Sequence, residues 1–291
     1  MEKLIKEIET RRQAFITLFK RTKIVNTVVL TLIIAAMAAT FIWLFKVDMN
    51  TSLIVILGLM VILFAYSRFA KTWLNKKTYH YIYDYYRVTS AYFFAADNGF
   101  DAVEIKESDG IALEEFKKTG VLKDEVGIIS RNLVIGKMVS IPFYVADAGV
   151  RVEREKKVAV AFFGKILTLE LPETIEGHFI VYRRQGNNAL PAGFDAFKAL
   201  EETADYMVFG TEDKTPALLR KSVLKLLTKL ELNELLADVT MVVKDNHVYL
   251  LLSYADAVMN VAYDHEADSK ALERYEADLR IIKDIAKELA H

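Results

Sequence analysis

The sequence predicts a membrane-anchored α+β protein: a two-helix transmembrane hairpin, then a cytoplasmic domain with a largely antiparallel sheet and flanking helices. Three observations predict it. Two uncharged apolar runs, residues 24–45 and 49–67, are each long enough to cross a hydrocarbon core of about 30 Å as a helix. Lysine and arginine crowd the two outer flanks of that pair. From residue 97 the texture changes to short alternating segments punctuated by glycine and proline, closed by a three–four helical repeat.

The hairpin comes first in the chain. In residues 24–45 the only polar side chains are Asn26, Thr27, Thr31 and Thr40, and no proline interrupts the run. The second run is almost wholly aliphatic from Leu53 to Phe64, and residues 46–50 make a tight loop between the two. A cleaved signal sequence fits poorly, because the small residues Ala35–Ala39 sit mid-run behind a charged leader. That leader, residues 1–23, carries Lys3, Lys6, Arg11, Arg12, Lys20, Arg21 and Lys23, while Arg68, Lys71, Lys76 and Lys77 follow the second run. The loop has Lys46 beside Asp48. A multi-pass protein with both termini in the cytoplasm is the expectation.

Leu4, Ile8, Phe15, Leu18 and Phe19 give the leader an amphipathic helical pattern. It is expected to lie on the inner leaflet or to pack on the cytoplasmic domain, and both readings stand. Residues 68–96 read as a tyrosine-rich helix emerging from the membrane, with Trp73 at the lipid interface and Tyr79, Tyr83 and Tyr86 on one face.

The domain over residues 97–291 is expected to have strands at 132–144, 150–153, 158–171, 178–183 and 206–210, with Pro172 ending the third. Thr215-Pro216 marks a helix start with Leu219, Val223, Leu226, Leu227 and Leu230 facing inward. Residues 239–243 and 248–252 read as a β-hairpin across Lys244-Asp245-Asn246-His247, and 268–289 as a closing helix. Residues 185–193 read as a flexible loop.

Chemistry-bearing patterns are sparse. The chain has no cysteine, which excludes disulfides, thiol catalysis and cysteine-ligated metals. The densest ligand-like cluster, Asp264, His265, Glu266 and Asp268, reads as a turn capping the last helix rather than a metal site. No glycine-rich phosphate loop and no serine elbow occur. No catalytic residue is named, no cofactor or metal is expected, and an enzyme is the less favoured class. The net charge of −1 divides into +8 over residues 1–77 and −9 over 78–291, which argues against nucleic acid as a partner. Two surfaces remain as candidates. Lys221, Lys225 and Lys229, with Lys214 nearby, put a basic ridge on a helix, suited to anionic lipid or an acidic partner. Leu272, Leu279, Ile282 and Leu289 form a seam suited to self-association, or to packing within its own domain.

Three segments resemble a bacterial membrane-protein family: Phe116-Lys117-Lys118-Thr119-Gly120-Val121-Leu122, Phe162-Phe163-Gly164-Lys165-Ile166-Leu167, and Val208-Phe209-Gly210-Thr211-Glu212-Asp213. Over roughly residues 83–260 the chain is similar to domain-of-unknown-function family 3137. Val258-Met259-Asn260 stands where that pattern has a Phe-Glu pair. The resemblance implies N-terminal spans, a cytoplasmic domain and the bacterial inner membrane, and it brings no assigned reaction. The expected function is therefore a membrane-anchored binding or scaffold module. The alternatives are a membrane-tethered hydrolase built from dispersed carboxylates, or a small oligomeric channel lined by Asn26, Thr27 and Thr31.

Overall fold

The computed structural model describes residues 1–44, 49–122, 124–154, 157–183, 196–203, 205–230, 236–254, 266 and 268–290. The expected loop at 185–193, residues 46–48 of the tight connection, Asp264, His265 and the segment 258–260 lie outside the described residues. The chain divides into a helical unit over residues 5–84 and a sheet unit that takes in 1–4, 85–254 and 268–290.

Two helices dominate the first part of the chain, α1 (Glu2–Leu44) and α2 (Met49–Phe93). Neither breaks where charge gives way to apolar sequence, because α1 has no glycine or proline and α2 only Gly58. Leader and first apolar run are therefore one helix. Within the helical unit Arg11 ion-pairs with Asp84, Phe15 stacks on Tyr81 at 4.6 Å, and the Tyr66 hydroxyl donates to Asn26 Oδ1 at 3.0 Å. Partner numbers fall as α1 numbers rise, so the helices run antiparallel. The leader's Phe15 thus packs on α2, while Leu4 and Ile8 of the same face are also buried. Of the tyrosine stripe, Tyr79 is exposed and stacks on half-buried Tyr83 at 6.4 Å, while Tyr86 is buried, as is Tyr81 beside it. Both helices are long and apolar enough to cross a membrane, and only 0% and 6% of their most apolar stretches is buried within the chain.

The sheet unit has seven strands, β1 (Phe100–Lys106), β2 (Glu125–Met138), β3 (Ile141–Arg154), β4 (Lys157–Arg183), β5 (Lys198–Glu202), β6 (Tyr206–Gly210) and β7 (Leu236–Tyr254). Their order is β1-β2-β3-β4-β6-β5, every pairing is antiparallel, and β7 lies along the other edge of β4. β4 is the spine. It pairs with β3 over its first half and with β6 over its last five residues, while β7 follows both halves.

Three expectations about strands are corrected here. The strand expected to stop at Pro172 continues to Arg183, and the expected hairpin at 239–252 is one strand. Both sequence breaks meet at one place: Glu170 pairs with His247, Ile175 with Asp245 and His178 with Lys244, with register shifts between them. β4 carries the extra residues, Gly177 and Asp245 take positive φ (91° and 56°), and the two long strands bend together at a shared bulge. The third correction lies at 132–144, which holds a turn rather than one strand. Val139 and Ser140 have φ of 52° and 71°, the mirror-image hairpin geometry, built without the Asn-Gly or Asp-Gly residues that usually announce it.

Helices cover both faces. α3 (Leu113–Lys117) sets Phe116, with Val121, against Ala146, Ala148, Val150, Ile166 and Leu251. The other face carries α4 (Lys221–Lys229), α5 (Ser269–Leu289) and the end of α2, where Phe94 stacks on Phe143 at 5.7 Å. Pro216 opens a 3-10 turn, Ala217–Leu219, and α4 starts only after an extended Arg220. That break rotates the helix relative to the expected face, so Leu224 is buried with Val223 and Leu227 while Leu226 is half-buried. Asp268 caps α5 by accepting from the Ala271 N–H at 3.1 Å.

Candidate functional site

Residues 141–150 of β3 and 158–169 of β4 are apolar stretches that each hold one charged side chain, Asp147 and Lys165, of opposite sign. Strand register sets them side by side and places Arg131 of β2 opposite Asp147, so three charges form one row across three strands. Lys165 Nζ donates to Asp147 Oδ1, with the two side chains only 6% and 1% exposed. Asn132, at positive φ in a β2 irregularity, donates its Nδ2 to Asp147 Oδ2 at 3.4 Å and accepts from Ser90 Oγ at 2.9 Å. Aromatic rings seal the row: Arg131 lies 5.8 Å from the Tyr86 centroid and Lys165 Nζ lies 4.7 Å from that of Tyr275. Burial pushes the Tyr275 hydroxyl well above its ordinary range, with the Asp147 and Asp278 carboxylates adding to it. Beside it Tyr254 donates to Asp278 at 3.1 Å, and Arg274 approaches the other carboxylate oxygen at 3.1 Å.

This network joins α2, β2, β3, β4 and α5. The space left among Ser90, Asn132, Lys165 and Tyr275 is about 20 Å³, enough for a single water and no substrate. Its chemistry is therefore cohesive: each buried charge is answered by an opposite charge or a hydrogen-bond donor. The only signal of these residues in the sequence is a single charge within each of the apolar stretches 141–150 and 158–169.

A second polar group sits at the bend. His178 Nε2 bonds the Thr119 carbonyl at 3.0 Å, and its ring meets Phe197 edge-on at 4.8 Å. Burial, then the nearby Lys244 charge, pulls the imidazole below its usual range. Lys244 Nζ donates to the Lys118 carbonyl at 3.2 Å, and Tyr144 donates to Glu115 at 2.8 Å. Burial works against the Glu115 carboxylate, but the Lys118 and Tyr144 bonds hold it below the usual range. Next to the bend a 360 Å³ cleft opens between Leu171, Pro172, Ile175, Pro216, Leu218 and Leu289. Arg220 at this cleft is engaged with Glu288, through its Nε to the carboxylate at 3.4 Å and through a bond to the backbone carbonyl.

The residues singled out in the sequence fare differently. Lys214, Lys221, Lys225 and Lys229 are all exposed, and among the described residues none of the four makes an ion pair. α4 begins beside Glu288, whereas Tyr275, near the other end of α5, is the residue that meets the last turns of α2. Leu272, Leu279, Ile282 and Leu289 are buried inside the single chain, so this seam is closed to a second copy in this conformation. Of the ligand-like cluster, Asp268 is spent on capping and Glu266 is exposed. Among the described residues no group of three His, Asp or Glu side chains is placed to hold a metal ion. Thr27 and Thr31 donate back to the Lys23 and Thr27 carbonyls at 2.9 Å each, and Asn26 Oδ1 accepts from the Tyr66 hydroxyl.

No family model matches the chain, and no curated protein matches it. A similar solved structure is the crystal structure of the mycobacterial trehalose monomycolate transport factor A, TtfA. It is 14% identical over 67% of this chain and 94% of that one, with a TM-score of 0.34. A likeness this loose carries no conclusion about this chain.

Proposed function

We propose that the chain is an integral protein of a bacterial inner membrane, in which α1 and α2 cross the bilayer as an antiparallel hairpin. Both termini and the sheet unit lie in the cytoplasm, where the sheet unit serves as a binding or scaffold module. Membership of domain-of-unknown-function family 3137 belongs to the same proposal. Its support is the order of the elements, two apolar helices before an antiparallel sheet, with Phe116, Val121 and Ile166 of the shared segments in the sheet core.

One observation carries the anchoring. The apolar stretches of both helices face outward almost entirely, an arrangement that water penalises and a hydrocarbon solvent favours. Exposed Trp43 and Trp73 bracket this surface, and exposed Lys20, Arg21 and Lys23 on α1 match Arg68 and Lys71 on α2 at its inner end. On the module side the unpaired ridge of Lys221, Lys225 and Lys229 suits an acidic protein surface.

Because the chain lacks cysteine, single cysteines test the topology directly. An impermeant thiol reagent on intact cells should label position 48 and spare position 200. Labelling of 200 with sparing of 48 would reverse the orientation, and equal labelling of both would remove the membrane barrier from the reading.

A further inference from the structure

The 360 Å³ cleft beside the bend falls within the size range of ligand sites, about 300–1,000 Å³. It opens where the register of β4 against β7 shifts at the shared bulge. Buried Leu171 and Leu289 line it together with half-buried Ile175, Pro216 and Leu218. Pro172 and Pro216 bring no backbone N–H into this lining, which keeps it apolar. Every residue at the cleft belongs to the sheet unit.

The α4 side of the cleft is basic. Residues 214–230 hold Lys214, Arg220, Lys221, Lys225 and Lys229 and no acid, within a stretch, 78–291, whose net charge is −9. Arg220 is held by Glu288, but the lysines that follow it are exposed, and among the described residues they make no ion pair. From Lys221 to Lys229 the ridge runs away from the cleft for about 12 Å, at 1.5 Å per residue. The β4 side is acidic: Glu173 lines the cleft, and Glu176 is exposed just past Ile175.

We infer that the cleft and the ridge form one docking site for an acidic amphipathic helix of a partner protein. Its apolar side chains fill the cleft, and its carboxylates lie along Lys221, Lys225 and Lys229. The inference rests on the binding-module reading above and names the partner's chemistry. Charge complementarity selects this occupant, because a helix repeats its carboxylates at the lysines' own spacing of four residues. Glu173 and Glu176 repel those carboxylates from the β4 side, which fixes the direction in which the helix lies. An anionic bilayer neutralises the ridge and leaves the cleft empty.

The test uses the full chain in phosphatidylcholine nanodiscs, with empty nanodiscs as the blank. The probe is a fluorescein-labelled synthetic helix with leucine on one face and glutamate beside it at every fourth position, followed by anisotropy. The same helix with glutamine in place of glutamate is its counterpart. The expected result is saturable binding of the glutamate helix, with the glutamine helix at least about tenfold weaker. Lys225→Glu with Lys229→Glu, and separately Ala217→Trp to fill the cleft, should each weaken binding by about tenfold or more. Both variants change exposed residues, and a melting curve like the parent's checks that each still folds. Binding that survives either variant unchanged, or equal binding of the two helices, overturns the inference. Recruitment of phosphatidylglycerol vesicles by the parent chain without peptide binding assigns the ridge to lipid and overturns it as well. Those outcomes leave a binding module standing, whereas a chain that binds neither helix nor vesicles loses that reading too.

Discussion

The helical unit and the sheet unit spend the same residue types on opposite problems. In the sheet unit Val134, Leu167, Val242 and Ile282 are wholly enclosed, while in the helical unit Ile54 and Val61 are 71% and 67% exposed. Polar groups divide along the same line. The sheet unit buries a lysine and an aspartate and satisfies them with each other, whereas Thr27, Thr31 and Thr40 return their hydroxyls to their own helix backbone. A helix in hydrocarbon must close its hydrogen bonds within itself, while a sheet core can close them across strands. The contrast teaches that hydrophobic content does not separate a core from an anchor; where the polar atoms find partners does.

The comparison breaks most sharply at the buried pair. Asp147→Ala strands the Lys165 ammonium in the core and should cost about 3–5 kcal/mol of sheet-unit stability. Adding Lys165→Met removes the stranded charge and should restore most of that loss. Amide exchange of the full chain in detergent reads both, with the effect confined to β2, β3, β4 and α5. If the double variant loses as much as the sum of the singles, the two residues are not coupled.

A charge placed on the helical unit separates lipid from water as its solvent. Val61 is exposed within the chain, so in water Val61→Arg would change stability by no more than about 0.5 kcal/mol. Near the middle of a bilayer the same arginine costs about 2.5–3.5 kcal/mol of insertion. The fraction of the variant retained in alkaline-washed membranes should therefore fall, while exchange in the sheet unit stays as it was. Unchanged retention would place α2 outside the hydrocarbon.

The sequence exposed the helical unit more fully than the sheet unit, and the reasons are local. Long uncharged runs and flanking charges need no partner to be read. The sheet's order depends on pairings between distant residues, and its ordinary signals point the wrong way at three places. Pro172 and the polar run 244–247 look like two strand ends, yet they are two sides of one bulge that only pairing across β4 and β7 reveals. The Val139–Ser140 turn has positive φ without glycine or asparagine, so it leaves no trace in composition. Asp147 and Lys165 are the single charges of the stretches 141–150 and 158–169, but their register is a property of the fold. The lysine ridge on α4 could be read because helical spacing alone brings its members together; who binds it could not.

The smallest expected effect concerns the bend, where pH should act on the sheet unit through His178. Burial and Lys244 hold its folded-state proton affinity below the ordinary value of 6.5, with Asp245 working in the opposite direction. Well above pH 6.5 both the folded and unfolded chains keep this imidazole neutral, and it contributes no slope. As the pH falls below 6.5, the unfolded chain takes up a proton that the folded chain resists. Stability then declines until the pH passes the depressed folded value, where the contribution levels off. Glu115 acts lower: its carboxylate is held below 4.5, so its contribution is lost only as the pH falls through that depressed value. His178→Gln keeps an N–H for the Thr119 carbonyl and removes the titration. The difference in melting temperature between this variant and the parent chain, followed from pH 8 to pH 5, should shrink as the parent loses stability. Parallel curves over that range would show that His178 takes no part in the pH response of the bend.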